Sequence, residues 1–257
     1  MTRRHLVFPS GWARLVGTID EAPGATGLLI VSGGNEVRAG AWNGQSLFAA
    51  QVAAAGFPVF RFDRAGIGDS SGDNRGFRES GADIAAALAR FRREAPQLEK
   101  IAMFGNCDAA SALMLAGGAD ADALLLANPW TIENDTAEAP PAVLRAHYLK
   151  RLTDLGALKR LLTGRIAVHG LVRSLHALVR PAPPPSTLAR AMAQGLAQYR
   201  WPVTFLLAGR DRTAQAFAAQ WPRGDARLRH CPEASHSFVE PAAKTWLLEQ
   251  TLAVLRG

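Results

Sequence analysis

Short runs of valine, isoleucine, leucine and phenylalanine alternate along this chain with longer alanine-rich stretches whose apolar residues have helical spacing. Strands that are buried on both faces of a parallel sheet have such continuous apolar runs. Parallel neighbours need a long crossover connection, and the helical stretches between the runs are of that kind. The alternation therefore predicts an α/β fold, with about eight strands in a mostly parallel sheet and helices on its faces.

The predicted elements can be placed by residue number. An antiparallel pair opens the sheet at 5–8 and 13–19, joined by the turn Pro9-Ser10-Gly11. Buried parallel strands are expected at 27–31, 58–62, 100–104, 123–127, 203–207 and 227–230. Helices are expected over about 43–55, 79–94, 108–117, 213–221 and 240–255, each after a turn.

Length and composition favour one domain with a full core. The chain has 257 residues, of which 48% are hydrophobic and 20% charged, which excludes disorder and collagen-like repeats. We expect a single domain over residues 1–257. Its two cysteines, Cys107 and Cys231, build no disulfide framework and indicate a reducing compartment. The start of the chain lacks a signal-peptide core and no apolar run is long enough to span a membrane, so we expect a cytoplasmic protein.

The basic charge of the chain is concentrated in one segment. The net charge is +7, yet the residues from Pro140 to Arg200 include ten Lys or Arg and a single acid, Asp154. This segment interrupts the alternation of strands and helices, and from Val143 to about Val179 its apolar residues have helical spacing. We therefore predict a helical cap inserted at about 131–199, above a nearly neutral sheet domain.

Such a cap would lie over the carboxyl ends of the strands, where open α/β sheets place their sites. Its arginines could recruit an anionic lipid-linked or acidic saccharide substrate, or rest on the negative inner-membrane surface as a peripheral protein. The alternative is that these charges are simply solvated. Nucleic acid is not expected as a partner, because no stacking aromatic set or binding motif accompanies the arginines.

A candidate nucleophile follows the predicted strand at 100–104, in Gly105-Asn106-Cys107-Asp108-Ala109. In a nucleophile elbow the strained central residue needs small neighbours two positions away on either side, and Gly105 and Ala109 meet that need. The sulfur of Cys107 would lie at a helix N-terminus, where the dipole favours the thiolate. The alternative is that Cys107 is a small buried filler.

A base and an orienting acid follow in the chain. Asp211 comes after the predicted strand at 203–207, and His236 lies between the last strand and the last helix. The order nucleophile, acid, histidine is the order of α/β hydrolases. Cys107, His236 and Asp211 are therefore predicted as a catalytic triad.

An oxyanion needs two backbone N–H donors. One is expected from Asp108, the residue after the nucleophile, and the other from the loop Ser32-Gly33-Gly34-Asn35, with Gly34 first and Asn35 second. Asp108 also places a carboxylate beside the nucleophile, which opposes a thiolate unless it turns away or is paired. Arg38, close to this loop, is a candidate for binding a substrate carboxylate or phosphate.

The sequence favours neither a metal nor a cofactor. His230, Cys231 and His236 lack the fourth ligand and the second knuckle of a zinc site. The glycines at 66 and 68 do not continue into a dinucleotide loop, because Ser71 stands where glycine is needed.

The stretch Asp63–Gly72 (DRAGIGDSSG) resembles the D-x-R-G-x-G-x-S-x-G stretch after the fourth strand of α/β hydrolases, with the arginine displaced by one position. Ser32-Gly33 stands where the family commonly has His-Gly. With AAGFPVFRFD, GNCDAAS, LLANPW, HYLKRL and AGRDRTAQAF, the whole chain resembles the first of two hydrolases associated with the bacterial exosortase A system, which serves surface-protein and exopolysaccharide export. The resemblance implies an α/β-hydrolase fold and the triad Cys107, Asp211 and His236, and it implies no specific substrate.

Together these features predict a hydrolase that cleaves a small-molecule or lipid-linked ester or thioester through a cysteine-linked acyl-enzyme. An acyltransferase with the same triad is the first alternative. A non-catalytic scaffold or partner-binding protein is the second, and the three triad residue types at three strand ends argue against it.

Overall fold

The computed structural model describes residues 2–133 and 185–257. In these ranges eight strands form one sheet in the order β1-β2-β4-β3-β5-β6-β7-β8. β1 pairs antiparallel with β2 and β2 antiparallel with β4, whereas the other neighbours are parallel. The predicted α/β fold and its opening antiparallel pair are thus confirmed. The strands are β1 (Arg3–Ser10), β2 (Ala13–Asp20), β3 (Thr26–Val31), β4 (Val59–Phe62), β5 (Lys100–Asn106), β6 (Ala123–Ala127), β7 (Val203–Ala208) and β8 (Leu228–Cys231).

Helices cover both faces of the sheet. Two short 3-10 turns, Ala41–Asn43 and Phe77–Glu79, precede the first two helices. The helices of the described residues are α1 (Gly44–Ala54), α2 (Gly81–Glu94), α3 (Asp108–Leu115), α4 (Thr187–Leu196), α5 (Arg212–Gln220) and α6 (Pro241–Arg256). α1 and α6 contribute to the hydrophobic cluster on one face, and α2, α3, α4 and α5 contribute to the cluster on the other.

The continuous apolar runs are explained by burial on both faces. In β3, Leu29 and Val31 belong to one cluster, whereas Leu28 and Ile30 belong to the other. Successive side chains of a strand point to opposite faces, so a strand between two helical layers needs an apolar residue at every position. The six strands from β3 to β8 in the parallel part of the sheet end at the same edge, and the loops that follow them meet there.

The predicted cap at about 131–199 lies largely outside the described residues, which omit 134–184 and with them the helical stretch from Val143 to Val179. Within that predicted range, α4 is described, and it packs on the sheet domain. Leu188 and Met192 are buried in the same cluster as α3, and a Cβ on Gly195 would lie 2.1 Å from the carbonyl oxygen of Met114. The ends of the cap stay a prediction.

Among the described helices, none combines the length and the apolar character needed to cross a bilayer.

Candidate active site

Cys107 lies in a tight turn between β5 and α3. Its backbone has φ 62° and ψ −127°, a conformation that costs an L-residue energy and that functional sites often contain. The turn is held at both ends, because Cys107 N donates to Ala127 O at 3.0 Å and Trp130 N donates to Cys107 O at 3.3 Å. A Cβ on Gly105 would lie 2.8 Å from the backbone of Ala109, so the strand and the helix approach closely only with glycine here. The predicted strand-turn-helix geometry is present.

Asp211 follows β7 and caps the N-terminus of α5. Its Oδ2 accepts a hydrogen bond from Ala214 N at 2.9 Å, and its side chain is buried. The other oxygen, Oδ1, lies 3.0 Å from Nδ1 of His236. Helix capping therefore fixes one carboxylate oxygen and leaves the other facing the imidazole.

Backbone contacts between two loops bring His236 close to Asp211. Gly209 N donates to Cys231 O at 2.9 Å, and Arg210 N donates to Ala234 O at 3.0 Å, so the pairing of β7 with β8 continues into the loops. A Cβ on Gly209 would lie 2.3 Å from Pro232 O. Glycine at this position permits the close approach that brings the acid and the histidine together.

The neighbours of His236 favour its protonated form. The side-chain contact with Asp211, and secondly that with Cys107, raise the pKa of His236 from 6.5 to about 10. Burial opposes the shift, since it disfavours the charged imidazole. At neutral pH the ring is therefore an imidazolium between a carboxylate and the sulfur of Cys107.

The loop after β3 approaches the turn at Cys107 through its glycines. A Cβ on Gly33 would lie 2.5 Å from Asn106 O, and Gly34 has φ +57°. The N–H of Gly34 is engaged within the chain, because it donates to Oδ1 of Asp108. One of the two predicted oxyanion donors therefore binds the side chain of the residue that would supply the other.

Arg64 connects the two sides of this contact. Its guanidinium is buried, with 5% of the side chain exposed, donates to Gly34 O and lies 3.7 Å from Oδ2 of Asp108. The opposite charge stabilises Asp108 in its position over Gly34. Arg64, Asp108 and Gly34 form a cluster that we call the Arg64 cluster.

Arg38 and Asn35 have partners within the chain as well. The Arg38 guanidinium pairs with the buried carboxylate of Asp63, lies 2.9 Å from Asp69 and donates from Nε to Thr18. Asn35 accepts from Asn74 Nδ2 at 2.8 Å through its side chain. The substrate role of Arg38 and the oxyanion role of Asn35 stay predictions.

The comparisons with known proteins agree with the fold of the chain. The model of the "Alpha/beta hydrolase family" matches residues 28–248. The chain belongs to the α/β hydrolase family. No curated protein matches its sequence.

Solved structures share the fold of this α/β hydrolase over nearly its full length. An esterase from Pyrococcus furiosus has a TM-score of 0.64 at 13% identity, covering 99% of this chain and 91% of that one. The thioesterase domain from the curacin biosynthetic pathway has a TM-score of 0.58 at 13% identity, covering 98% and 100%. The α/β hydrolase GrgF from Penicillium sp. sh18 has a TM-score of 0.62 at 16% identity, covering 100% and 98%. At these identities the likeness is one of fold.

Two residues of the α/β hydrolase site have contacts that the sequence analysis did not assign. Arg64 belongs to the Asp63–Gly72 stretch, and the sequence assigned no role to this residue. Asn128 follows β6 directly, and its side chain is fully buried among the loops of the site. A polar residue at the carboxyl end of a buried strand is a signal that sequence reading can use.

Within the described ranges, no group of three or more His, Cys, Asp or Glu side chains is arranged to hold a metal ion. Cys231 is half-buried, and burial raises the pKa of its thiol.

Proposed function

We propose that this α/β hydrolase cleaves carboxylic esters or thioesters through an acyl-enzyme on Cys107. The observation that carries the proposal is the position of Cys107, which lies at a strained turn before a helix N-terminus and in contact with His236. Nδ1 of His236 lies 3.0 Å from Oδ1 of Asp211. Nucleophile, base and orienting acid in this arrangement are the components of covalent acyl transfer. The esterase and thioesterase among the structural neighbours support the same class of reaction.

In the first half of the reaction, the sulfur of Cys107 attacks the carbonyl carbon while His236 holds the proton. The tetrahedral intermediate then collapses, and His236 gives its proton to the leaving alcohol or thiol. The product of this half is a thioester on Cys107. Asp211 keeps Nδ1 of the imidazole in place and stabilises its cation.

In the second half, neutral His236 takes a proton from a water molecule, whose oxygen attacks the thioester carbon. Collapse of this second intermediate releases the carboxylic acid and restores Cys107 with protonated His236. Both intermediates carry negative charge on the former carbonyl oxygen, which the backbone N–H groups of Asp108 and Gly34 would bind. For Gly34 to do so, the carboxylate of Asp108 must leave its N–H.

We further propose that the substrate is anionic or lipid-linked and belongs to exopolysaccharide or exosortase-linked export. The support is the basic segment between Pro140 and Arg200 together with the resemblance of the whole sequence. Flotation with vesicles of anionic or of neutral lipids tests whether the basic segment binds a membrane surface. Binding to anionic vesicles that salt weakens is expected, and an absence of binding at every salt concentration would leave the charges merely solvated.

The catalytic proposal is tested with a panel of p-nitrophenyl esters and acyl-thioesters on the full chain. We expect turnover by the wild type and none by Cys107→Ala. Addition of a primary alcohol or amine separates hydrolysis from acyl transfer by the product ratio, since a transferase forms mainly the new ester or amide in water, whereas a hydrolase forms mainly the carboxylic acid. A Cys107→Ala variant that turns over the panel at the wild-type rate would overturn the proposal.

A further inference from the structure

We propose that Asn128 is a positioning residue, which holds the main chain at His236 in register with the nucleophile turn. The inference rests on the proposed function, because positioning matters only if His236 acts on Cys107. Asn128 is the first residue after β6 and has no exposed side-chain surface. Its neighbours in the sheet, β5 and β7, lead to the nucleophile and to the acid.

The amide of Asn128 contacts three loops of the site at once. Its Oδ1 accepts from the N–H of Ala208 at 2.9 Å, at the end of the strand that leads to the acid. Its Nδ2 donates to His236 O at 2.9 Å. The same nitrogen donates to Oδ1 of Asn106 at 3.0 Å, and Asn106 is the residue before the nucleophile. One side chain therefore connects the acid loop, the histidine loop and the nucleophile turn.

The three partners require an amide at this position. The N–H of Ala208 can only donate, so it needs an acceptor, whereas the oxygens of His236 and Asn106 need donors. A carboxamide offers an acceptor and two N–H donors on one planar group. An aspartate would offer no donor to two oxygens, and an apolar residue would remove the bonds to the N–H of Ala208 and to Oδ1 of Asn106 and one of the two bonds to His236 O.

The carbonyl of His236 is held from two sides. Asn106 Nδ2 also donates to it, at 3.1 Å, so this single oxygen accepts from two amides. The two bonds fix the peptide of His236, and Asp211 contacts the ring of the same residue at 3.0 Å. The main chain is thus held by amides and the imidazole by the acid, which leaves little freedom to the base.

The backbone of Asn128 contributes to the same arrangement. Its φ is 43°, in the left-handed region that asparagine tolerates better than most residues. Its N–H donates to Leu206 O at 3.0 Å. The chain thereby turns out of β6 at Asn128, while the side chain of Asn128 stays at the edge of the sheet. The side-chain contacts and the backbone conformation both favour asparagine here.

The test uses two variants of Asn128 with a matched control. Asn128→Asp keeps the acceptor and the shape and removes the donors, whereas Asn128→Gly removes the side chain and keeps the left-handed backbone accessible. Leu124→Ala, in the same strand and fully buried, is the control for lost stability. The measurements are the thermal midpoint, kcat and KM for a p-nitrophenyl ester, and the pKa of His236 by NMR titration.

We expect both Asn128 variants to lower kcat by about 10- to 100-fold with little change in KM, because a displaced catalytic group costs on that order. In Asn128→Gly the pKa of His236 is expected to fall toward its ordinary value, because the ring is no longer held against Asp211, whereas the added carboxylate of Asn128→Asp opposes this fall. Leu124→Ala is expected to lower the thermal midpoint and to keep the wild-type pKa of His236. If both Asn128 variants fail to fold, Asn106→Ala, at a half-buried position, is expected to give a smaller change in the same direction.

Wild-type kcat and wild-type His236 pKa in a folded Asn128→Gly variant would overturn the proposal. A failure of the proposed function looks different. In that case the wild type itself turns over no ester or thioester, whereas the pKa of His236 in Asn128→Gly still reports whether Asn128 positions the ring.

Discussion

The carboxylate of Asp108 accepts a hydrogen bond from the backbone N–H of Gly34. This contact joins the residue after Cys107 to the loop after β3, and Arg64 lies 3.7 Å from the same carboxylate. A carboxylate on this N–H takes the place that the oxyanion of an acyl intermediate would need. The Arg64 cluster is therefore in competition with the chemistry that we propose for Cys107.

Replacing Asp108 by Asn tests this competition. The variant keeps the shape of the side chain and removes its negative charge, so we expect kcat/KM for an acyl ester to rise by about tenfold, a part of what one oxyanion donor contributes. The thermal midpoint is expected to fall, because buried Arg64 loses its charged partner. Asp120→Asn, an exposed loop acid, is the control with the same change in net charge. An unchanged or lower kcat/KM in Asp108→Asn would show that the carboxylate does not obstruct the oxyanion.

The pH dependence of acylation is a second prediction. The proposed leaving-group step needs the imidazolium, so kcat/KM is expected to fall as pH rises through the pKa of His236, about 10. Asp211→Asn removes the largest cause of the raised pKa and is expected to move this fall to lower pH. A pH-rate profile of acylation measures both. A profile that is the same in wild type and in Asp211→Asn would contradict the pairing of acid and base.

The same pKa predicts a pH dependence of stability. Because the pKa of His236 is 6.5 ordinarily and about 10 in the folded chain, its stabilising contribution is complete below 6.5 and is lost as pH rises through about 10. Urea unfolding of the wild type and of His236→Gln is expected to differ most at about pH 6 and least above about pH 10. His230→Gln, at an exposed position on β8, is the control. A constant difference across this range would contradict the raised pKa.

Glycine at position 105 is expected to be necessary for the turn at Cys107. A Cβ there would lie 2.8 Å from the backbone of Ala109, so Gly105→Ala forces a shift of strand or helix and is expected to destabilise by about 1–3 kcal/mol. Gly44→Ala is the control, since a Cβ on Gly44 has nothing within 4 Å and its φ of −63° is helical. Chemical unfolding compares the two variants. Equal stabilities would show that the turn has more room than its geometry indicates.

Much of the fold could be predicted from the sequence, because it depends on local patterns. The helix predicted at 213–221 is found as α5, Arg212–Gln220, and it begins one residue earlier because Asp211 is its N-cap. β5 extends to Asn106, two residues past the prediction, since Asn106 still pairs with Ala127 in β6. β1 is longer than predicted, because its first residue, Arg3, pairs with buried Asp20.

The site was less accessible to sequence reading. The residues that we propose as a triad were predicted from residue type, chain order and position after a strand, and the structure places His236 beside Asp211. The contact of Asp108 with Gly34 joins residues 74 positions apart, and it depends on where the carboxylate turns, which no local pattern records. Asn128 stood at the end of a buried strand, but its contacts come from three other loops. Such partners are set by tertiary packing.

His236 is proposed to activate Cys107 for acyl transfer. The most direct measurement is mass spectrometry of the wild type, Cys107→Ala and His236→Ala after brief reaction with p-nitrophenyl acetate. We expect one acetyl group on Cys107 in the wild type, none in Cys107→Ala, and acetylation slowed by about 100-fold or more in His236→Ala. Equal acetylation of Cys107 in the wild type and in His236→Ala, with no turnover of any ester or thioester, would contradict the claim.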